Sequence, residues 1–108
     1  MLLTRNGTFQ RIESNGLVIG VLPNAEYPER EIALSPGDRL ILYTDGVVEP
    51  ENANGQSFGD FRLEQVVLAS RSLPPSGLVD RLLSEIRSWP PRSIGQTDDI
   101  TLVVMDVA

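Results

Sequence analysis

Apolar and polar residues along the first third of the chain follow strand-like patterns. Leu2 to Arg5 and Thr8 to Glu13 flank Asn6-Gly7, a pair that favours the two-residue turn of a β-hairpin because both residues tolerate positive φ. A hairpin is therefore predicted to open the chain. The next apolar segment, Leu17 to Leu22, is interrupted by glycine and followed by proline, so it is either a short buried strand or a packed loop.

A second hairpin is predicted further along the chain. Glu29 to Leu34 alternates charged and apolar residues except at Arg30, and the turn residues Ser35 to Asp38 follow it. Arg39 to Tyr43 is then apolar at nearly every position, the pattern of a strand buried on both faces. We predict that these two segments pair with each other.

Apolar residues recur at helical spacing in the second half of the chain. After a loop from Glu49 to Ser57, this spacing runs from Phe58 to about Ser70 and again from Leu78 to Trp89, where two prolines end it. A last strand is predicted over Asp99 to Val107, apolar on both faces at its centre. The order of elements predicts an α+β fold, with a largely antiparallel sheet layered with two helices.

Length and charge limit the possible functions. A chain of 108 residues forms at most one domain, and its 15 acidic and 9 basic residues give a net charge of −6, with every cation an arginine. No basic stripe is present to neutralise a phosphate backbone, so we expect no nucleic-acid binding. No apolar run is long enough to cross a membrane and no signal peptide is recognisable, so we expect no membrane association of this segment and a cytoplasmic location.

The residue types that the chain lacks limit its chemistry. It contains no cysteine and no histidine, which excludes a disulfide framework, a thiolate zinc site and a serine-histidine relay built from this chain alone. Carboxylates, hydroxyls, amides and guanidinium groups remain. This set suits oxygen-ligated Mg or Mn and metal-activated water.

Two short acidic segments are the candidate sites. The Asp45 segment runs from Tyr43 to Gly46 (Tyr-Thr-Asp-Gly), and the Asp98 segment runs from Thr97 to Thr101 (Thr-Asp-Asp-Ile-Thr). Each places a carboxylate where a predicted strand meets a loop, which suggests a hard-cation site. Taken alone, however, Asp-Gly after a strand is usually a turn, and an aspartate pair is usually a solvated strand start.

The acidic and amide residues after Asp45 do not form a calcium loop. Ligands do not alternate as an EF-hand requires, and the glycine at the sixth position and the glutamate at the twelfth are absent. We interpret this segment as a surface loop. The acidic and amide side chains of this segment are Glu49, Glu51, Asn52, Asn54 and Asp60.

Five ordered blocks resemble the bacterial PPM (type 2C) serine/threonine phosphatases, in particular the SpoIIE/RsbU-like branch. The similarity spans about Leu2 to Val107. The blocks are Gly20-Val21-Leu22-Pro23, Ser35-Pro36-Gly37-Asp38, Leu42-Tyr43-Thr44-Asp45-Gly46-Val47, Asn54-Gly55 with Phe58-Gly59, and Gln96-Thr97-Asp98-Asp99-Ile100-Thr101-Leu102.

The resemblance implies an αββα sandwich that holds two Mn or Mg ions, and hydrolysis of phosphoserine or phosphothreonine by metal-activated water. It implies that Asp45 and Asp98 bind the same one of the two ions. Gly46 is expected to support Asp45 by allowing a sharp backbone turn. Asp99 is expected to be either an outer hydrogen-bond acceptor or a solvated residue at the start of the strand.

The resemblance covers only the carboxy-terminal part of such a domain. The amino-terminal half, with its Asp-Gly and Ser-Gly-His-Gly motifs, has no counterpart in residues 1–108. The complete enzyme is expected to act on a phosphorylated regulatory protein, such as an anti-sigma factor antagonist, and this chain alone is expected to have little or no activity. The alternative is a non-catalytic, degenerate module that binds a partner protein. Either way, a sheet face left open is expected to favour a homodimer through that face or an edge.

Overall fold

A four-stranded antiparallel sheet forms the centre of the computed structural model, which describes residues 1–12, 23, 31–91 and 99–108. The strand order is β2-β1-β3-β4. The strands are β1 (Leu2–Arg5), β2 (Thr8–Arg11), β3 (Arg39–Tyr43) and β4 (Leu102–Asp106), and the helices are α1 (Gly59–Ala69) and α2 (Pro75–Ser88). The predicted α+β class, with an antiparallel sheet and two helices, is confirmed.

The opening hairpin is confirmed. Strands β1 and β2 pair from Leu2 opposite Arg11 to Arg5 opposite Thr8, which leaves two residues for the turn. Asn6 and Gly7 have φ values of 52° and 77°, as a type I′ turn requires. The local sequence therefore determines the register of this pair.

The predicted second hairpin is wrong. Residues 31–34 form no strand, and the two neighbours of β3 are β1 and β4. The predicted turn before β3 is present, since the Asp38 N–H donates to the Ser35 carbonyl at 3.0 Å and Gly37 has a φ of 90°. Alternation of charged and apolar residues therefore did not predict a strand or its partner correctly here. Residues 29–30 and the segment Leu17 to Leu22 lie outside the described residues.

Both helices pack on one face of the sheet and are confirmed close to their predicted positions. Helix α2 begins at Pro75, whose missing N–H costs nothing at a first helical position, and ends at Ser88 just before Pro90. Neither helix of the described part of the chain is long and apolar enough to cross a membrane. The core on this face consists of Leu2, Ile41, Val47, Phe58, Leu63, Val67, Leu78, Leu82 and Ile86.

The opposite face of the sheet is only partly covered. Leu3, Ile12 and Leu40 form a small buried cluster there. Beside it Leu42, opposite Val103 in the β3–β4 register, is 40% exposed, and Val103 is 51% exposed. The expectation that β3 is buried on both faces is therefore wrong at its carboxy-terminal end, because the helices cover only one side.

Candidate functional site

The Asp45 segment and the carboxy-terminal part of the Asp98 segment meet where β3 and β4 end. Tyr43 lies opposite Leu102 as the last pair of the ladder. One residue further, the Thr44 N–H donates to the Thr101 carbonyl at 3.1 Å, and the Thr101 N–H donates to Thr44 Oγ1 at 3.1 Å. The two segments are thus joined by a reciprocal pair of hydrogen bonds, although 57 residues separate them in sequence.

Asp45 lies at the start of a short 3₁₀ helix (Asp45–Val47) directly after this junction. Its carbonyl accepts hydrogen bonds from the backbone N–H groups of Val48 at 3.1 Å and Glu49 at 2.9 Å, and Val47 is fully buried. Asp45 itself is exposed. The backbone is therefore fixed on both sides of a carboxylate that remains accessible to a ligand.

Gly46 packs directly against the backbone of the Asp98 segment. A Cβ at this position would lie 1.9 Å from the carbonyl oxygen of Asp99 and 2.9 Å from its carbonyl carbon. The chain turns at Gly46 within the 3₁₀ helix, but the φ of Gly46 is not in the positive region, so the close approach is what requires glycine here. Only glycine allows the two segments to come together this closely.

Asp99 precedes β4 and is exposed, so the predicted strand start at this residue is wrong. Its backbone, not its carboxylate, forms the contact with Gly46. Asp98, the second predicted ligand, lies outside the described residues. Within the part of the chain that is described, no three acidic side chains converge on one point.

The described residues could supply some of the ligands of a site for a hard cation. Asp45 supplies an accessible carboxylate oxygen, and the close approach of Gly46 to the Asp99 backbone brings residues 99–101 to the same end of the sheet. Carboxylate and carbonyl oxygens are the ligands that Mg²⁺ and Mn²⁺ prefer. The roles of Asp45 and Asp98 as ligands stay predictions.

Tyr43 connects the candidate site to helix α1. Its hydroxyl donates to Asp60 Oδ1 at 3.0 Å, and burial, with this hydrogen bond as the second cause, raises the pKa of Tyr43 to about 12. Arg11 on β2 pairs with Asp60 at 2.7 Å and also with Glu64. These contacts join β2, the end of β3 and the first turns of α1. No sequence pattern predicts these contacts, because the partners lie far apart in the chain.

The loop that follows Asp45 is held against helix α2. Asn52 Oδ1 accepts hydrogen bonds from the backbone N–H groups of Asn54 at 2.9 Å and Gln56 at 3.0 Å. The indole N–H of Trp89 donates to the Gln56 carbonyl at 2.8 Å, and the Trp89 ring meets Phe58 edge-on at a centroid distance of 5.9 Å. The predicted surface loop therefore has a defined conformation, held by hydrogen bonds, in the segment that follows Asp45.

The whole chain, residues 1–108, matches the model of the family described as Stage II sporulation protein E (SpoIIE). The chain belongs to the SpoIIE family. This confirms the resemblance to SpoIIE/RsbU-like phosphatases that the five sequence blocks carry.

Relatives and a solved structure agree with this family. The chain is 31% identical over 104 residues to Protein IcfG of Synechocystis, and 35% identical over 51 residues to the phosphoserine phosphatase RsbU of Bacillus subtilis. These alignments cover 96% and 47% of the chain, but only 16% and 15% of the relatives. Each alignment therefore spans less than a fifth of the relative's length.

The fold matches the phosphatase domain of the cell fate determinant SpoIIE from Bacillus subtilis, determined after a Mn presoak. The TM-score is 0.69 with 20% sequence identity, over 98% of the chain and 45% of that domain structure. At this identity the match shows a shared fold.

Proposed function

We propose that these 108 residues correspond to the carboxy-terminal portion of a PPM-type phosphatase domain that hydrolyses phosphoserine or phosphothreonine. The match to 45% of the SpoIIE phosphatase domain structure supports a partial domain, and the name of the relative RsbU, a phosphoserine phosphatase, supports the reaction type. In the complete domain the second half of an αββα sandwich would cover the partly exposed sheet face.

One observation carries the proposal: the Asp45 segment is held against residues 99–101, the described part of the Asp98 segment, at the end of β3 and β4. The hydrogen bonds between Thr44 and Thr101 and the contact of Gly46 with Asp99 hold them in register. A merely solvated Asp-Gly turn needs no such partner. We propose that this junction allows Asp45 and Asp98, the neighbour of Asp99 in sequence, to share a cation.

The residues of this chain would hold and orient one of two Mn or Mg ions. When bound, such an ion lowers the pKa of water and neutralises charge that develops on phosphoryl oxygens. Asp45 and Asp98 would supply anionic oxygen ligands, and Gly46 would let their backbones approach. The 3₁₀ helix after Thr44 would keep the Asp45 carboxylate at the surface, where a phosphorylated side chain can reach it.

The proposed substrate is a phosphorylated regulatory protein, such as an anti-sigma factor antagonist. A folded loop beside Asp45 supports a protein substrate, because an ordered surface costs less entropy on binding than a mobile one. We also propose that this chain alone has little or no activity, since ligands beyond Asp45 and Asp98 would be needed to fix both ions.

A non-catalytic interaction module is the second candidate. Two aspartates from one half of a domain cannot by themselves fix two cations, which favours this candidate. The sequence upstream of Met1 discriminates between the two. An Asp-Gly block followed by Ser-Gly-His-Gly in the same gene supports the enzyme.

The proposed activity is tested by Mn-dependent release of phosphate from a phosphoserine peptide by the protein that contains the complete domain. We expect Asp45→Asn to lower kcat at least about 100-fold, because a ligand for the cation is lost. Asp80→Asn is the matched control, since Asp80 is exposed on α2 and has no ion-pair partner in the described part of the chain. Full activity in the Asp45→Asn protein would contradict the proposal.

A further inference from the structure

A cleft of about 340 Å³ lies at the end of the sheet opposite to Asp45. Four elements enclose it: the β1–β2 turn, the end of α1, the turn before β3 and the end of β4. Arg39, which lines the cleft, is the first residue of β3, and Asp45 follows the end of this strand. The cleft and the candidate site at Asp45 are therefore separated by the length of β3, roughly 15 Å at ~3.3 Å per residue. The lining residues are Thr4, Asn6, Gly7, Gly37, Arg39, Val67, Leu68, Arg71, Asp106 and Val107.

Arg39 lines this cleft, and its positive charge is balanced by the carboxylate of Asp106. Its Nε donates to Asp106 Oδ1 at 2.6 Å and its Nη2 donates to Asp106 Oδ2 at 3.0 Å, a two-point grip on the carboxylate. Nη2 also donates to the Leu73 carbonyl at 2.5 Å, while Nη1 reaches the Ser70 carbonyl only at 3.4 Å. The hydrogen bond to Arg39 lowers the pKa of Asp106, so this pair remains ionised and balanced at neutral pH.

Arg71 gives the cleft a positive charge that is not balanced. It is exposed, and no hydrogen bond or ion pair links its guanidinium to another residue of the described ranges. A Cβ on Gly7 would lie 3.3 Å from Arg71 Nη1, so the guanidinium lies against the β1–β2 turn. In a chain with a net charge of −6, this is a local cationic site.

We infer that the cleft is a binding site for a small organic anion, held through a phosphate or carboxylate group by Arg71. A guanidinium fork matches both groups in geometry and charge. Thr4 and Asn6 supply polar side chains, and Val67, Leu68 and Val107 supply apolar walls for the body of the ligand. The volume is at the lower end of the range for small-molecule sites, which limits the ligand to a compact molecule.

The inference is tested by NMR titration of the whole chain with inorganic phosphate and, separately, with succinate, at constant ionic strength. Saturable shifts are expected at the amides of Gly7, Gly37 and Val107 and at the Arg71 side chain. Saturation by phosphate alone, by succinate alone or by both supports the site and identifies the group that it prefers. Absence of saturable shifts with both probes overturns the inference.

The variants Arg71→Gln and Arg71→Lys give the second readout. We expect Arg71→Gln to weaken binding at least about tenfold and Arg71→Lys to retain part of it, because lysine keeps the charge but loses the fork. Arg87→Gln removes an exposed arginine from the last turn of α2 and is the matched control. Equal weakening by Arg87→Gln would show a nonspecific charge effect and overturn the inference. Since Arg71 is exposed, both variants are expected to fold, which circular dichroism checks.

Discussion

The carbonyl oxygen of Asp99 occupies the space that the Cβ of any residue other than glycine would need at position 46, 1.9 Å away. Because the blocking atom belongs to the backbone, it cannot rotate aside as a flexible side chain can. The Gly46→Ala substitution is therefore expected to separate the Asp45 and Asp98 segments. We expect it to lower the free energy of unfolding by about 1–3 kcal/mol, the usual cost of overpacking, as measured by urea denaturation.

Hydrogen exchange gives the local readout for this substitution. The Thr101 N–H, which donates to Thr44 Oγ1, should exchange faster in Gly46→Ala. Gly55→Ala is the control: it adds a Cβ with nothing within 4 Å, although its φ of 77° makes alanine strained at that position. Unchanged protection of Thr101 in Gly46→Ala would show that the contact does not hold the segments together.

Stability is predicted to fall in acid through Asp38. The Arg5 side chain, followed by the Ser35 backbone N–H, lowers the pKa of Asp38 to about 2, and Arg5 Nη2 lies 2.5 Å from Asp38 Oδ2. A carboxylate whose pKa is lowered on folding stabilises the native state above its unfolded pKa of about 4. That stabilisation is lost as the pH falls from about 4 towards 2.

Comparison of the original chain with Asp38→Asn from pH 7 to pH 2 tests this prediction. The difference in unfolding free energy between them should be constant above pH 5 and shrink below pH 4. Asp80→Asn, which removes one exposed carboxylate, is the control. A difference that is independent of pH over the whole range would contradict the assigned role of Asp38.

The layer of helices is predicted to supply most of the core stability. Leu82 on α2 is fully buried, whereas Phe61 on α1 is 71% exposed. We expect Leu82→Ala to lower the free energy of unfolding by about 2–5 kcal/mol, because it leaves a cavity. Phe61→Ala should change it by less than about 0.5 kcal/mol. Comparable losses in urea denaturation would mean that the helices do not pack on the sheet in this way.

Self-association is expected through the partly covered sheet face or the β4 edge. Val103 and Met105 on β4 are 51% and 47% exposed, and β4 is the last strand of the sheet. Sedimentation velocity over a range of concentrations should show a dimer that the double substitution Val103→Ser with Met105→Ser weakens. Phe61→Ser, an exposed apolar residue on α1, should leave it unchanged. A monomer at all concentrations would rule this expectation out.

Features that neighbouring residues determine were predicted correctly from the sequence. Features that depend on contacts between distant segments were not. The Asn6-Gly7 turn and strand β3 were predicted at their observed positions, because turn chemistry and apolar patterning are local. The partner of β3 was predicted wrongly. Its pairing with β1 and β4 depends on contacts between distant segments, which alternation at residues 31–34 does not encode.

The candidate site shows the same difference between local features and contacts that join distant segments. The Thr-Asp-Gly block and its ordered neighbours predicted Asp45 and Gly46 as site residues, and their roles stay predictions. The sequence did not indicate the close packing of Gly46 against Asp99, the Tyr43–Asp60 hydrogen bond or the Arg39–Asp106 pair, since each joins residues from different elements. Such partners become visible only when the fold brings them together.

Titration of the chain with Mn²⁺ by calorimetry is the most direct test of the central claim, that Asp45 and Asp98 share one cation. We predict a weak site that is lost to the same extent in Asp45→Asn and in Asp98→Asn, with no further loss in the double variant. Asp80→Asn, the matched control, should bind as the original chain does. Retention of Mn²⁺ binding in either single variant, or binding that only the double variant abolishes, would contradict a shared site.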